Sequence, residues 1–295
     1  MSSAYLFPGQ GAQSVGMGKK HYEQDEIFAS YVDQANDILG FDLKEIMFEG
    51  PKEKLKQTEY TQPAIFLHSV ALYKKLDANP DMVAGHSLGE FSALVACGAV
   101  DFEDALKIVR RRGELMQQAG EENPGTMAAV IGMDDDIVER ICAEATEQTG
   151  KEVVAANYNC PGQLVISGDA DAIQKAVDLL KEEGCRLAKV LEVSGAFHSS
   201  LMQPAFDGLQ RSLEDLDISE PECPIYSNYT AEPTTDPEEI RSNLLNQLLN
   251  PVRWTQTLEN MNKNGAESFI EVGPGKVLQG LVKRTLDDVK ISGLQ

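Results

Sequence analysis

Short apolar runs alternate with helical patterns along this chain. Ala4–Phe7 reads as a first strand that closes on Pro8-Gly9-Gln10-Gly11. Met82–Ala84 reads as a second, running straight into Gly85-His86-Ser87-Leu88-Gly89-Glu90. Apolar residues at helical spacing mark Phe28–Leu39 (Phe28, Val32, Ala35, Leu39), Ala64–Leu76 and a stretch through Phe91, Leu94 and Val95. Asp101 reads as the N-cap of a further helix carrying Ala105, Ile108, Val109, Arg112 and Leu115. Strands alternating with helices predict an α/β fold.

Turn residues gather at Gly120–Thr126, which places a boundary there. The next stretch reads strand Met127–Ile131, helix Asp135–Gln148, strand Val153–Tyr158, a turn at Cys160-Pro161-Gly162, strand Leu164–Ser167, helix Ala170–Glu183 and strand Arg186–Val193. That β-α-β-β-α-β order is the ferredoxin-like arrangement. The expected organisation is therefore a discontinuous unit over 1–123 and 194–295, with an inserted α+β subdomain at 124–193. Past Ser194 the pattern predicts a helix after Ser199, a strand at Ile225–Ser227, helices near Glu238–Leu249 and Trp254–Asn264, and a strand at Ser268–Val272.

Charge narrows the function. The 295 residues carry 26 Lys+Arg against 47 Asp+Glu, a formal net charge of −21. A surface this acidic repels phosphate backbones and anionic headgroups, so neither nucleic acid nor a membrane is an expected partner. A mean hydropathy of −0.27 fits a folded globular chain. The longest apolar stretch, Ala93–Val100, is far short of the ~20 residues that span a bilayer. Cys97, Cys142, Cys160, Cys185 and Cys223 are odd in number and contain no CxxC pair, which predicts free thiols and no zinc site. The opening MSSAYLFPGQG lacks a basic n-region and its apolar run breaks at Pro8, so a signal peptide is not expected. A cytoplasmic monomer is the expectation.

The sharpest chemical signal is G-x-S-x-G at Gly85–Gly89, between a predicted strand and a predicted helix. Two glycines let the chain turn sharply with the Ser87 hydroxyl exposed at the apex, and they bring the Leu88 N–H to a helix N-terminus that can stabilise an oxyanion. The competing reading is a tight turn with no chemistry. A serine at neutral pH needs a base, and four histidines are available. His21 lies in a polar stretch and reads as a solvated surface residue. His68 sits in an apolar helix and reads as a satisfied core histidine, while His86 points away from its neighbour Ser87. His198, in a small-residue loop before a helix, remains as the candidate base. Asp207 follows on a helix and reads as solvated. Gly9-Gln10-Gly11 is neither a Walker A loop nor a GxGxxG motif. Arg110, Arg111 and Arg112 diverge by about 100° on a helix, so at most one or two can face one site.

These pieces resemble the malonyl-CoA:acyl-carrier-protein transacylases of fatty-acid synthesis. The matching segments are FPGQGAQ at Phe7–Gln13, TQPAIF at Thr61–Phe66, GHSLGE at Gly85–Glu90, RRGELM at Arg111–Met116, Asn159–Gln163, GAFHSSLM at Gly195–Met202 and EVGPGK at Glu271–Lys276, in order along nearly the whole chain. The resemblance implies an α/β-hydrolase-like core with a ferredoxin-like insertion. It makes Ser87 the nucleophile and His198 its base, with Gln10 and Leu88 as backbone oxyanion donors. Arg112 would grip the free malonyl carboxylate. A main-chain carbonyl, at Gln247 in this chain, would orient the histidine. Phe197 resembles the malonyl-type pattern of related polyketide acyltransferases and would crowd an α-methyl branch.

The implied activity is ping-pong transfer of malonyl from malonyl-CoA to the phosphopantetheine thiol of acyl carrier protein, supplying fatty-acid elongation without metal or cofactor. Docking of an acidic carrier on an acidic enzyme calls for a local basic patch, with Lys189, Lys276, Lys283 and Arg284 as candidates. Two other readings remain open on the residues alone: a serine hydrolase or thioesterase using the same elbow, and a non-catalytic carrier-protein docking module.

Overall fold

A computed structural model describes residues 2–76 and 79–295. Among the described residues ten strands form two sheets: β1 (Ser2–Phe7), β2 (Met82–Gly85), β3 (Gly125–Ile131), β4 (Val153–Cys160), β5 (Gln163–Asp169), β6 (Leu187–Val190), β7 (Ile225–Tyr226), β8 (Pro233–Thr234), β9 (Ala266–Val272) and β10 (Lys290–Leu294). The larger sheet has the order β10-β9-β1-β2-β7-β8 and is parallel except for β8. The smaller is antiparallel, in the order β4-β5-β3-β6. The fold is thus α/β with a mostly parallel sheet and a separate ferredoxin-like sheet.

The sequence of β1 shows why that sheet is covered on both faces. Ala4 and Leu6 enter one hydrophobic cluster with Trp254 and Phe269, while Tyr5 and Phe7 enter another with Phe66 and Phe91. A strand buried on both sides reads as a continuous apolar run, which Ala4–Phe7 does. The smaller sheet keeps its own core, built from Val130, Ile141, Ile166, Ile173 and Leu180 among others. The segment before the helix Trp254–Lys263 is tied to β4 by main-chain bonds of Val252 with Ala156 and Tyr158, at 2.8 and 2.9 Å.

Several boundaries differ from the sequence reading. The helix expected from Ala64 begins at Thr58 and runs to Tyr73 with Pro63 inside it. Proline has no N–H to give the Glu59 carbonyl four residues back. That carbonyl instead accepts from the Arg110 guanidinium at 2.7 Å, which lets the helix continue through the proline. The helix Phe102–Glu122 carries on past Gly120, where a turn was expected. Gly120 is there for close packing, since a Cβ would lie 2.1 Å from the Ser194 carbonyl oxygen. Asp101 stands at the N-cap of that helix, but its side chain makes no capping bond. The last strand of the small sheet, Leu187–Val190, is shorter than Arg186–Val193; Leu191 still donates to the Met127 carbonyl at 2.9 Å, and Leu191 and Val193 line a cavity. The sequence reading lacked the short helices Lys19–Gln24, Leu43–Phe48 and Lys52–Leu55, the helix Val277–Thr285, and strands β8 and β10.

Candidate active site

Parallel pairing of β1 with β2 sets Phe7 opposite Gly85, so the two loops leaving these strands emerge side by side. One loop carries Gln10 and the other Ser87, at the carboxyl end of a parallel sheet where α/β folds place their sites. The turn at Ser87 is sterically obligatory. A Cβ on Gly85 would sit 1.8 Å from the Gly89 carbonyl carbon, and one on Gly89 would sit 2.1 Å from the Phe7 oxygen. Ser87 is held at φ +52°, a strained value for a residue with a side chain. Asn228, just beyond β7, locks the turn: Oδ1 accepts from the Ser87 N–H at 2.6 Å and Nδ2 donates to the Gly85 carbonyl at 2.7 Å.

His198 also adopts a left-handed backbone, φ +60°, which aims its ring at the serine. Its Nε2 lies 2.9 Å from Ser87 Oγ, and its Nδ1 lies 2.8 Å from the Gln247 carbonyl oxygen. A carbonyl can only accept, so Nδ1 carries the proton and Nε2 is left free to take one. Burial, reinforced by the Arg112 charge, holds the His198 pKa down to about 3. The ring is therefore neutral at physiological pH, the state a general base needs.

Of the three consecutive arginines, Arg112 alone turns into the site. It is 1% exposed, with Nη1 donating to Gln62 Oε1 at 2.8 Å. Its Nη2 donates to Gln247 Oε1 at 3.0 Å and to Ser87 Oγ at 3.2 Å. Among the described residues nothing accepts from its buried Nε. Arg110 instead pairs with Glu59 and Glu114, and Arg111 lies on the surface beside Glu114. Glu90 lies buried under the elbow, where desolvation pushes its carboxyl up to about 8 against hydrogen bonds from Asn228 and Gln247 and the Arg112 charge.

Ser87 and His198 open on a cavity of about 300 Å³ between the two sheets. Gln10 and Leu88 stand in its wall with the serine, and Phe197, Met116 and Met127 supply apolar surface. Leu88 is the N-cap of the helix Gly89–Ala96, and the N–H groups of Gly89, Glu90 and Phe91 that follow it donate to the His86, Ser87 and Leu88 carbonyls at 3.0, 3.1 and 3.1 Å. All seven candidate residues, Gln10, Ser87, Leu88, Arg112, Phe197, His198 and Gln247, thus converge on one region.

The sequence reading missed three contributors. Gln62 and Glu90 lie inside the quoted TQPAIF and GHSLGE segments without having been singled out. Asn228 had one usable signal, its position just after a strand that neighbours β2.

The other histidines divide as expected only in part. His86 does point away from Ser87, bonding Asn159 Oδ1 at 2.8 Å and packing on Trp254. Asp207 is exposed and pairs with Gln203. His21 is not solvated: it is half-buried, with Nε2 2.6 Å from the Gln295 carbonyl oxygen and its ring against Phe28. His68 is a core residue but not a satisfied one, since Nδ1 has no partner among the described residues.

Burial, with the nearby His21 second, drives the His68 pKa down to about 3. The unfolded chain protonates this histidine below about 6.5 while the folded protein does not, so stability falls as pH drops across that window. His68→Leu is expected to remove about 1.4 kcal/mol per pH unit from this loss, read by urea unfolding at pH 6 and pH 5. An unchanged slope would mean that His68 is charged in the fold.

The chain belongs to the acyl transferase domain family, whose profile matches residues 4–293. It is 45% identical over 284 residues to the malonyl CoA-acyl carrier protein transacylase of Bacillus subtilis, covering 95% of this chain and 89% of that protein. An acyl carrier protein S-malonyltransferase from Vibrio cholerae has a similar structure, with a TM-score of 0.95 at 42% identity over 100% of this chain and 97% of that one. A type II PKS acyl-carrier protein in complex with its malonyl-transacylase is matched at a TM-score of 0.94 and 39% identity, covering 99% of this chain and 95% of that one.

Proposed function

We propose that this protein transfers malonyl from malonyl-CoA to the phosphopantetheine thiol of acyl carrier protein through a malonyl ester on Ser87. The observation that carries the proposal is the convergence of Ser87 Oγ, a neutral His198 Nε2 and the Arg112 guanidinium within hydrogen-bond distance in one buried cluster.

In the first half-reaction Ser87 Oγ attacks the thioester carbonyl as His198 Nε2 takes its proton. The oxyanion forms against the Gln10 and Leu88 N–H groups. Collapse expels CoA, which leaves with the proton from His198. The Arg112 N–H now spent on Ser87 Oγ, together with the unpartnered Nε, would serve the free malonyl carboxylate. In the second half-reaction the carrier thiol gives its proton to His198 and attacks the ester; as the ester C–O bond breaks, His198 passes that proton to Ser87 Oγ, restoring both residues. The Gln247 carbonyl holds the imidazole tautomer throughout, in place of a carboxylate. Phe197 narrows the acyl end of the cavity, which favours an unbranched malonyl group.

Residues 1–123 with 194–295 then form the catalytic unit, and 124–193 forms the roof of the acyl cavity through Met127, Asn157 and Val165. Nucleophile, base and arginine all come from one chain, so a monomer suffices. Among the described residues no helix is long and apolar enough to cross a membrane, and a cytoplasmic location belongs to the same reading. Lys276, Lys283 and Arg284 are exposed on or beside the helix Val277–Thr285, which lines the cavity, and suit an acidic carrier.

Incubation with malonyl-CoA, with and without phosphopantetheinylated carrier protein, separates transfer from hydrolysis. Malonyl-carrier product with little free malonate is the expected outcome. Free malonate at the same rate in both reactions would instead mark a thioesterase.

A further inference from the structure

Glu90, next to the second glycine of the elbow, takes no part in the reaction as derived. It is 2% exposed and does not line the cavity that holds Ser87. Both of its oxygens accept hydrogen bonds, Oε1 from the Asn228 N–H and Oε2 from Gln247 Nε2 at 2.5 Å. The Gln247 amide is fully committed in turn. Nε2 donates also to the Ser87 carbonyl at 3.1 Å, while Oε1 accepts from Arg112 Nη2 at 3.0 Å. Acceptors on one side of this amide turn its oxygen towards Arg112 on the other.

We propose that Glu90 is a positioning residue for carboxylate recognition: by accepting from Gln247 Nε2 it fixes the amide orientation in which Oε1 holds Arg112 beside the nucleophile. The inference rests on Arg112 as the reader of the malonyl carboxylate. A buried amide can present either end to a neighbour, and a guanidinium can only donate. Reversal of the Gln247 amide would set a donor against Arg112 and leave buried groups mispaired, which is costly where water cannot compensate. The Ser87 carbonyl alone opposes that reversal with one neutral, longer bond. Glu90 adds the shorter bond, to a carboxyl that the Asn228 N–H anchors from the backbone.

Glu90→Gln, assayed at pH 9 where a carboxyl raised to about 8 is ionised, tests this because it keeps the shape but converts one acceptor into a donor. The new NH₂ faces Gln247 Nε2, since the Asn228 N–H is fixed and must keep an acceptor. The Gln247 amide is then driven to turn its own donor towards Arg112. We expect kcat/KM for malonyl-CoA to fall about tenfold or more, mainly through KM, with a smaller loss for acetyl-CoA. Gln247→Met, which keeps the backbone carbonyl under His198, should lower the malonyl-to-acetyl ratio as well. The double variant should show no further drop, because Glu90 acts only through the amide.

Equal losses for both donors, or additive losses in the double variant, would overturn the proposal and leave Glu90 as a strut under the elbow. Should Glu90→Gln fail to fold, the Gln247→Met ratio decides, and an unchanged ratio overturns it. Arg112→Ala belongs in the same assay. If it leaves the ratio unchanged, the reading of Arg112 itself fails. If it lowers the ratio while Glu90→Gln does not, only the role given to Glu90 fails.

Discussion

Ser87→Ala is expected to abolish malonyl transfer to carrier protein, and His198→Ala to slow it by about 10²–10⁴-fold while leaving the protein folded. The two effects differ in kind. Without Ser87 Oγ no covalent ester can form, and the neighbouring hydroxyls are spoken for: Ser199 Oγ bonds the Ala196 carbonyl and Ser194 Oγ lies 2.6 Å from Thr58 Oγ1. Without His198 the nucleophile keeps its place on the elbow and its oxyanion donors, but loses the acceptor for its proton at 2.9 Å. Steady-state transfer assays on both variants, with a circular-dichroism control for folding, give the comparison. Full activity of His198→Ala would remove it as the base.

Arg112→Ala is expected to reverse the donor preference. Its guanidinium is buried, and its donors point at two amide oxygens and the nucleophile. A malonyl carboxylate brought beside Ser87 without this partner is desolvated and unpaired, a cost acetyl does not incur. One lost charge-assisted hydrogen bond accounts for ~1.5–3 kcal/mol, so a bidentate partner is consistent with about 10²-fold or more in kcat/KM for malonyl-CoA. Acetyl transfer should be spared or raised. Arg110→Ala and Arg111→Ala are the controls: Arg110 braces Glu59 and the proline-containing helix, and Arg111 sits at the surface. Both should leave the malonyl-to-acetyl ratio nearly as it is. A collapse of the ratio in either control, or in none of the three, would assign the carboxylate to another residue.

How far the site could be read in advance depended on the kind of atom involved. The elbow was legible because its glycines answer to a steric demand that only glycine meets, at 1.8 and 2.1 Å from backbone atoms. His198 emerged by elimination, and its Nε2 lies 2.9 Å from Ser87 Oγ; of the histidines set aside, His21 is half-buried where a solvated residue was expected, and His68 lies in the core as expected but with Nδ1 unpartnered among the described residues. Helical periodicity showed that the three arginines diverge, but only the family resemblance singled out Arg112. The Gln247 carbonyl carries no sequence signal, because every residue has a carbonyl. It too came from the resemblance.

Legibility of the fold was uneven for similar reasons. The β-α-β-β-α-β order of 124–193 followed from alternating runs and turn residues, and the strand order matches it. β10 was missed because Lys290–Leu294 is an edge strand with a glycine in it, and it pairs with residues 22 positions back, Lys290 with Ser268 through Leu294 with Val272. The start of the helix at Thr58 was missed because Pro63 signals a stop. What cancels that signal is an arginine about fifty residues on.

The central claim is that malonyl passes through an ester on Ser87, and the most direct test is the intact mass of the protein after brief exposure to malonyl-CoA, followed by peptide mapping and a chase with phosphopantetheinylated carrier protein. The account predicts one added malonyl group per chain, mapped to the peptide containing Ser87 and lost to the carrier within the chase. Absence of the adduct, its location on another residue, or an adduct that the carrier cannot discharge would contradict it.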